Sequence, residues 1–330
     1  MKKIIALLLA LLMAVGMLAG CVKQNDDTDD TTDKLRIVTT IFPEYDWVKE
    51  ILGDKADHAD ITMLLDNGVD LHSYQPTADD IVKISDCDLF IYVGGESEGW
   101  AEDALKNSAN KDRKVINLLD VLGDSVKSEE VVEGMQEEEH EHEEGEAHEH
   151  EEEADEHVWL SLKNAEVLVG AISNALQELD AENKEIYAEN ADAYVKKLSA
   201  LDAEYQTAVD NATCKTVLFG DRFPFRYLAD DYGLNYYAAF VGCSAETEAS
   251  FETISFLAKK ADEMNLPCVL TIEGKHHKIA ETIVKNTAQK SQRILTMDSM
   301  QSTTSKDVAS GTTYLSVMEK NLAVLKEALA

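Results

Sequence analysis

From residue 34 onward, short apolar runs alternate with longer stretches in which apolar positions recur every three or four residues. The first half carries runs at 35–40 (LRIVTT), 59–65 (ADITMLL), 88–94 (DLFIYVG) and 114–119 (KVINLL). The second half carries runs at 215–221 (KTVLFGD), 234–242 (LNYYAAFVG), 267–273 (PCVLTIE) and 292–298 (QRILTMD). Runs this short, separated by helix-length spacers, read as buried parallel strands in βα units. Four in each half predict an α/β protein of two lobes, each a four-stranded, largely parallel sheet flanked by helices. Between the two sets lies a helical stretch at about 162–211. Ile186, Tyr187, Ala191, Tyr194, Val195, Leu198 and Leu201 recur within it at helical spacing, with no Gly or Pro in 181–209. The spacing predicts a stiff connecting helix over 183–212. About 30 residues span ~45 Å, enough to cross both lobes; two shorter helices with a break are the alternative for the whole stretch. A last helix is expected at about 312–329. The predicted division is an N-terminal lobe at 34–182, the connecting helix, and a C-terminal lobe at 213–330.

Three segments break this pattern. Lys2 and Lys3 precede an apolar run from Ile4 to Leu18, followed by Ala19, Gly20 and Cys21. A basic start, an apolar middle and small residues before a cut form a secretory signal over 1–20. The Leu18-Ala19-Gly20-Cys21 ending resembles a bacterial lipobox, which makes Cys21 a lipidated new N-terminus. Residues 22–33 (VKQNDDTDDTTD) have almost nothing to bury and read as a tether. The third segment, 128–156, is of low complexity. Its stretch from Glu129 to Glu156 holds 16 acidic residues and no basic one. Self-repulsion predicts a solvated loop. Four of the nine His lie in it, at His140, His142, His148 and His150, and flexible imidazoles among carboxylates suit weak, exchangeable metal capture.

Charge narrows the function. Against 30 Lys+Arg stand 64 Asp+Glu, a formal net charge of −34 in 330 residues. Nucleic-acid binding needs a basic face and is excluded. With 16 Gly and 4 Pro, the chain is neither collagen-like nor disordered throughout. Five Cys are too few for a disulfide scaffold. Cys87 and Cys268 sit beside apolar runs and read as small core residues. The sequence assigns no pairing among Cys87, Cys214, Cys243 and Cys268.

In open α/β sheets ligands bind beyond the carboxyl ends of strands. Three runs of the second half end in an acid: Asp221, Glu273 and Asp298. In the first half, the run ending at Leu65 leads into DNGVDLHSYQP, which puts His72 in a turn-rich loop. His157 follows the acidic segment in DEHVWLSLKNAE. An imidazole set from one lobe facing carboxylates from the other suits Zn²⁺ or a similar divalent ion. His58, among charged residues, reads as a surface group, and His276 and His277 open the helix after Glu273.

The stretches IVTTIFPEYDWVKEILGD, LLDNGVDLHSYQPTADDIVKISDCDLFIYVGG and DEHVWLSLKNA resemble the N-lobe of the solute-binding lipoproteins of bacterial zinc and manganese ABC transporters. YLADDYGL, Glu248-Ala249-Ser250, IAETI and LTMDS match the C-lobe more loosely. The resemblance covers essentially the whole mature chain. It implies two lobes joined by a rigid helix, with the metal between them. The family's D-P-H-x-Y-x-P-T motif maps to Asp70–Thr77 and implies His72 as a ligand. D-P-H-V-W-L maps to Asp155–Leu160 and implies His157. Pro is absent from both places. A T-x-D-S/P turn maps an acidic ligand to Asp298. The family's remaining ligand falls where this chain has Arg222, which has no lone pair for a metal. Asp221 is the nearest donor; Glu273, Cys243 and water are the alternatives. Arg222 is expected to turn away from the metal and pair with Asp221 or Glu273.

The function implied is an extracytoplasmic, membrane-anchored, monomeric receptor with high affinity for zinc, which delivers the ion to an ABC permease. Manganese is the less favoured ion, because two His sites and a His-rich loop favour nitrogen donors. A zinc-dependent hydrolase is the alternative from another class. Two His, an acid and an open position form a catalytic geometry too, although no H-E-x-x-H is present.

Overall fold

The computed structural model describes residues 34–106, 108–136, 153–244, 248–274 and 276–330. In the first half, Leu35–Thr39 (β1), Ala59–Met63 (β2), Leu89–Tyr92 (β3) and Lys114–Asn117 (β4) form a parallel sheet of order β2-β1-β3-β4. In the second, Thr216–Phe223 (β5), Asn235–Val241 (β6), Cys268–Thr271 (β7) and Arg293–Thr296 (β8) repeat it as β6-β5-β7-β8. This is the two-sheet architecture expected from the apolar runs. The all-buried β3 and β7 (LFIY and CVLT) show why continuous runs were the signal: helices cover both faces of a parallel sheet.

The helices are Phe42–Leu52 (α1), Ala78–Asp86 (α2), Trp100–Lys106 (α3), Leu118–Leu122 (α4), Leu162–Leu179 (α5), Lys184–Asp210 (α6), Arg226–Tyr232 (α7), Phe251–Glu263 (α8), Lys278–Asn286 (α9), Ser305–Ala309 (α10) and Tyr314–Ala328 (α11). The stretch at 162–211 is therefore two helices. Asp180 ends the first by turning its carboxylate on Asn183 Nδ2 (2.7 Å) and on the hydroxyl of Tyr187 (2.7 Å). The 27 residues of α6 reach about 40 Å. Its buried stripe is Tyr187, Ala191, Tyr194, Leu198, Leu201, Tyr205 and Val209, while Ile186 faces out. The spacing of three and four keeps one face of α6 on the core along its whole length.

Residues 35–330 form one compact unit, and buried polar bonds tie its halves together. Tyr314 at the start of α11 donates its N–H to Asp46 of α1 (2.8 Å) and its hydroxyl to the Trp159 carbonyl (2.6 Å). Tyr205 of α6 donates to the Met318 carbonyl (2.7 Å). The indole of Trp159 donates to the Ser299 carbonyl beyond β8 (2.8 Å).

The acidic segment differs from the expected free loop at both of its ends. Ser128 and Ala154 form an antiparallel bridge, and Glu129 N–H donates to the Glu153 carbonyl. Met135 is buried, and Gln136 N–H bonds the Ala239 carbonyl on β6. Val132 and Met135 give residues 128–136 an apolar anchor. Residues 137–152, with their four His, lie outside the described residues, as do the leader and Cys21.

At the carboxyl end of β1, two carboxylates are fully buried. Glu44 accepts from Thr40 N–H (2.8 Å) and Ile41 N–H (3.3 Å), and Glu98 from Gly94 N–H (2.9 Å). Burial, with the charge of its neighbour Glu98, pushes Glu44 up. Burial, with the Glu156 charge, pushes Glu98 up to about 7. Glu98 therefore holds a proton in the folded state at pH values where the unfolded chain has lost it. Its contribution favours folding below about pH 4.5 and is lost as pH rises through 7. Glu98→Gln should accordingly stabilise the metal-free protein at pH 8 by on the order of 1–3 kcal/mol and leave it unchanged near pH 4.5. Paired thermal melts at the two pH values check this, and an equal shift at both would contradict it.

Candidate metal centre

The segment Asp70–Thr77 has a structural task for nearly every position. Asp70 caps the short 3₁₀ turn Leu71–Ser73 by accepting His72 N–H (3.0 Å). Tyr74 is buried and donates to Asp80 (2.9 Å), while Thr77 caps α2. The outcome is one imidazole, His72, on a short fixed loop beyond β2. The second imidazole is built the same way. Asp155 accepts both the N–H of His157 and its Nδ1, each at 2.9 Å. Val158 and Trp159 then lock the next turn into the core. His157 is fully buried, and the His72 side chain is only 6% exposed.

The two rings meet through their outer nitrogens. His72 Nε2 lies 3.1 Å from His157 Nε2, with ring centroids 5.0 Å apart and planes tilted by 57°. The inner nitrogens face acceptors. His72 Nδ1 is 2.8 Å from Ser97 Oγ and 3.3 Å from Glu156 Oε2. Burial alone would raise Glu156, but hydrogen bonds from His72 and Ser97 outweigh it and hold its carboxyl below the usual range. A carboxylate lies behind each Nδ1 and favours a proton there, which leaves the Nε2 lone pairs facing outward. Two lone pairs then point at each other across 3.1 Å, an arrangement that calls for a cation. Two imidazoles on a tetrahedral zinc would stand about 3.3 Å apart, given Zn–N of ~2.0–2.1 Å.

Two glycines make this packing possible. Gly95 has φ +81°, and a Cβ there would overlap the Glu156 carboxylate. A Cβ on Gly242 would come within 2.9 Å of His157 Nδ1 and Cε1. The end of β6 thus lies directly against the buried ring. The next residue, Cys243, is a free thiol. Its Sγ and one ring nitrogen of each of His72 and His157 all lie within 4.8 Å of one another, forming the one group of three metal-capable side chains of this kind among the described residues. Burial, with the charges of Glu129 and Asp155, pushes the Cys243 thiol well up.

Asp221 and Asp298 do not enter this group. Asp221 accepts the N–H of Arg222 (2.9 Å) and of Ile272 (3.4 Å), at a break in the register of β5 between Phe219 and Arg222. Asp298 accepts Met300 N–H (2.8 Å), and its own backbone is clamped by Asn321 of α11. Glu273 is committed as well, to Ser299 N–H, Ser299 Oγ and Gln301 N–H. Burial raises all three carboxyls. Because Asp221 and Glu273 are engaged elsewhere, Arg222 pairs with neither. It reaches across to Asp70 Oδ2 (2.5 Å) and to the Ser244 carbonyl (3.2 Å). Burial favours the neutral Asp70, but the guanidinium prevails and holds its carboxyl low.

Gln301 has no signature in the sequence beyond following LTMDS. One end of its amide lies 2.9 Å from Asp70 and the other 3.2 Å from His157 Nε2. His58 is exposed, whereas His276 and His277 line an open cavity of about 730 Å³ with Asp221, Arg222 and Glu248.

A family model described as zinc-uptake complex component A, periplasmic, matches residues 37–328. The zinc-binding lipoprotein AdcA of Streptococcus pneumoniae is 34% identical over 327 residues, covering 99% of this chain and 61% of that protein. The chain thus spans about three-fifths of that relative. The high-affinity zinc uptake system protein ZnuA of Bacillus subtilis is 33% identical over 91% of this chain and 89% of its own length. Among solved structures, the Zn(II)-bound ZnuA-like domain of pneumococcal AdcA superposes with a TM-score of 0.69 at 30% identity, covering 90% of this chain and 99% of that one.

The carboxylates behind the rings orient them, so their loss should be felt at the metal. Asp155→Ala and Glu156→Gln should each weaken divalent-ion affinity by roughly 10–100-fold. Competition titration against a chelator measures this; affinities within twofold of the parent would show that the rings need no such support.

Proposed function

The chain belongs to the periplasmic zinc-uptake complex component A family, and from that membership we propose that it is an extracytoplasmic receptor that captures Zn²⁺ and hands it to an ABC permease. The ion is the cargo, and His72 and His157 are its imidazole ligands. The observation that carries this reading is the pair of Nε2 atoms 3.1 Å apart, each ring held by acceptors at its other nitrogen. Nitrogen donors at that spacing suit zinc better than manganese. The leader and Cys21 serve as export signal and lipid anchor, keeping the receptor at the membrane beside the permease.

Capture and release follow from how the site is held. Both imidazoles come from the first half of the chain, while Arg222 and the end of β6 come from the second. The Arg222–Asp70 pair links the second half to the loop that carries His72. Release therefore involves displacement of that loop and loosening of the pair, with α6 staying in place.

His72→Ala or His157→Ala should reduce zinc affinity by about 100-fold or more, beyond the cost of losing an outer partner, with the circular dichroism of the metal-free protein retained. Unchanged affinity in both variants would overturn the ligand assignment. Because each Nε2 must be free of a proton to bind, affinity should also fall on acidification. An affinity flat to pH 5 would point to an all-oxygen site instead.

His140, His142, His148 and His150 are a secondary, exchangeable metal store in this reading. Deleting residues 138–151 should remove weakly bound zinc in equilibrium dialysis and leave one tight ion. Loss of the tight ion would contradict the division into two classes of site.

A further inference from the structure

We propose that Cys243 is the third protein donor to the zinc ion, bound as its thiolate beside His72 and His157. This rests on the receptor reading above and deepens it. Sγ already lies within 4.8 Å of one ring nitrogen of each His. On a tetrahedral zinc, with Zn–S of ~2.3 Å and Zn–N of ~2.0–2.1 Å, the S···N separation is about 3.5 Å. The backbone is placed for it. The absence of a side chain at Gly242 lets β6 end against the His157 ring, and the Cys243 N–H is fixed by Glu129 Oε1 (2.8 Å).

Asp221 and Glu273, the carboxylates first considered for this position, are engaged elsewhere. Arg222 offers no lone pair and is spent on Asp70 and the Ser244 carbonyl. Both oxygens of Asp221 and both of Glu273 accept from neighbouring groups. Cys243, unpaired in any disulfide, is the ionisable donor from this half that groups with the two imidazoles. Binding replaces the S–H bond by a Zn–S bond and releases one proton to solvent for each ion taken up. A thiolate is a soft ligand that favours zinc and disfavours manganese. The chain thereby obtains selectivity for zinc with two imidazoles.

Cobalt(II) reads the donor set directly. The metal-free protein titrated with Co²⁺ should develop a near-ultraviolet thiolate-to-cobalt charge-transfer band, and Cys243→Ser and Cys243→Ala should lack it. Zinc affinity should fall by roughly 100-fold or more in Cys243→Ala, above the 10–100-fold expected for an outer partner, and stay within about twofold in Asp221→Asn. Independently of any variant, zinc should protect Cys243 of the unmodified protein from iodoacetamide, read by peptide mass spectrometry. A charge-transfer band that persists in Cys243→Ala, or alkylation of Cys243 at the same rate with and without bound zinc, would overturn the proposal. If zinc binding then still required His72 and His157, the receptor reading would stand without the thiolate. If zinc binding survived His72→Ala and His157→Ala unchanged, that reading itself would fail.

Discussion

Two imidazole lone pairs held face to face are the constraint around which the rest of this structure is arranged. Left to themselves the rings would rotate apart or share a proton. Asp155 at 2.9 Å from one Nδ1, and Ser97 with Glu156 behind the other, prevent both. Those acceptors have to be buried to do so, and burial of a carboxylate is costly unless donors surround it. Hence Ser97 N–H bonds Glu156, His157 N–H bonds Asp155, and Arg222 bonds Asp70. Each layer of donors exists because the layer inside it carries charge.

That dependence explains how the two halves are joined. The loop with His72 reaches Arg222 of β5, and the residue after the His157 turn, Trp159, reaches both Ser299 and Tyr314. Tyr205 of α6 is bonded in turn to α11. Breaking these contacts would leave buried polar groups without partners, at ~1–3 kcal/mol each. Wide separation of the halves is therefore disfavoured, and local motion of the His72 loop is the low-cost route for an ion to enter and leave.

The acids of the interior differ from those of the surface. Glu44 and Glu98 are pushed toward the neutral form by burial, with the charge of Glu98 acting on Glu44 and that of Glu156 on Glu98. Glu156 itself is held ionised by His72 and Ser97. A gradient of protonation thus runs inward from the site. The formal net charge of −34 attracts cations to the protein and repels anions.

Much of this was legible in the linear chain because it rests on local rules. Apolar runs bounded by helix-length spacers specify parallel strands, and all eight formed. Asp70, Tyr74 and Thr77 belong to one turn, as Asp155 and Trp159 belong to another, so the motifs that present His72 and His157 are short-range. The break at Asp180 was undecided in the sequence, because helical periodicity runs through it and a single carboxylate turned on Asn183 and Tyr187 makes the difference. The residues contributed from the second half were undecided for a stronger reason. Asp221, Arg222, Cys243, Glu273, Asp298 and Gln301 all sit near strand ends, and the sequence ranks them only by residue type. Tertiary packing ranks them by direction. The register break in β5 ties Asp221 to backbone N–H groups, Glu273 is consumed in holding the loop at 299–301, and Arg222 finds Asp70, 152 positions away. Gly242 brings Cys243 against a ring that precedes it by 86 positions, an approach that exists only once both sheets have formed.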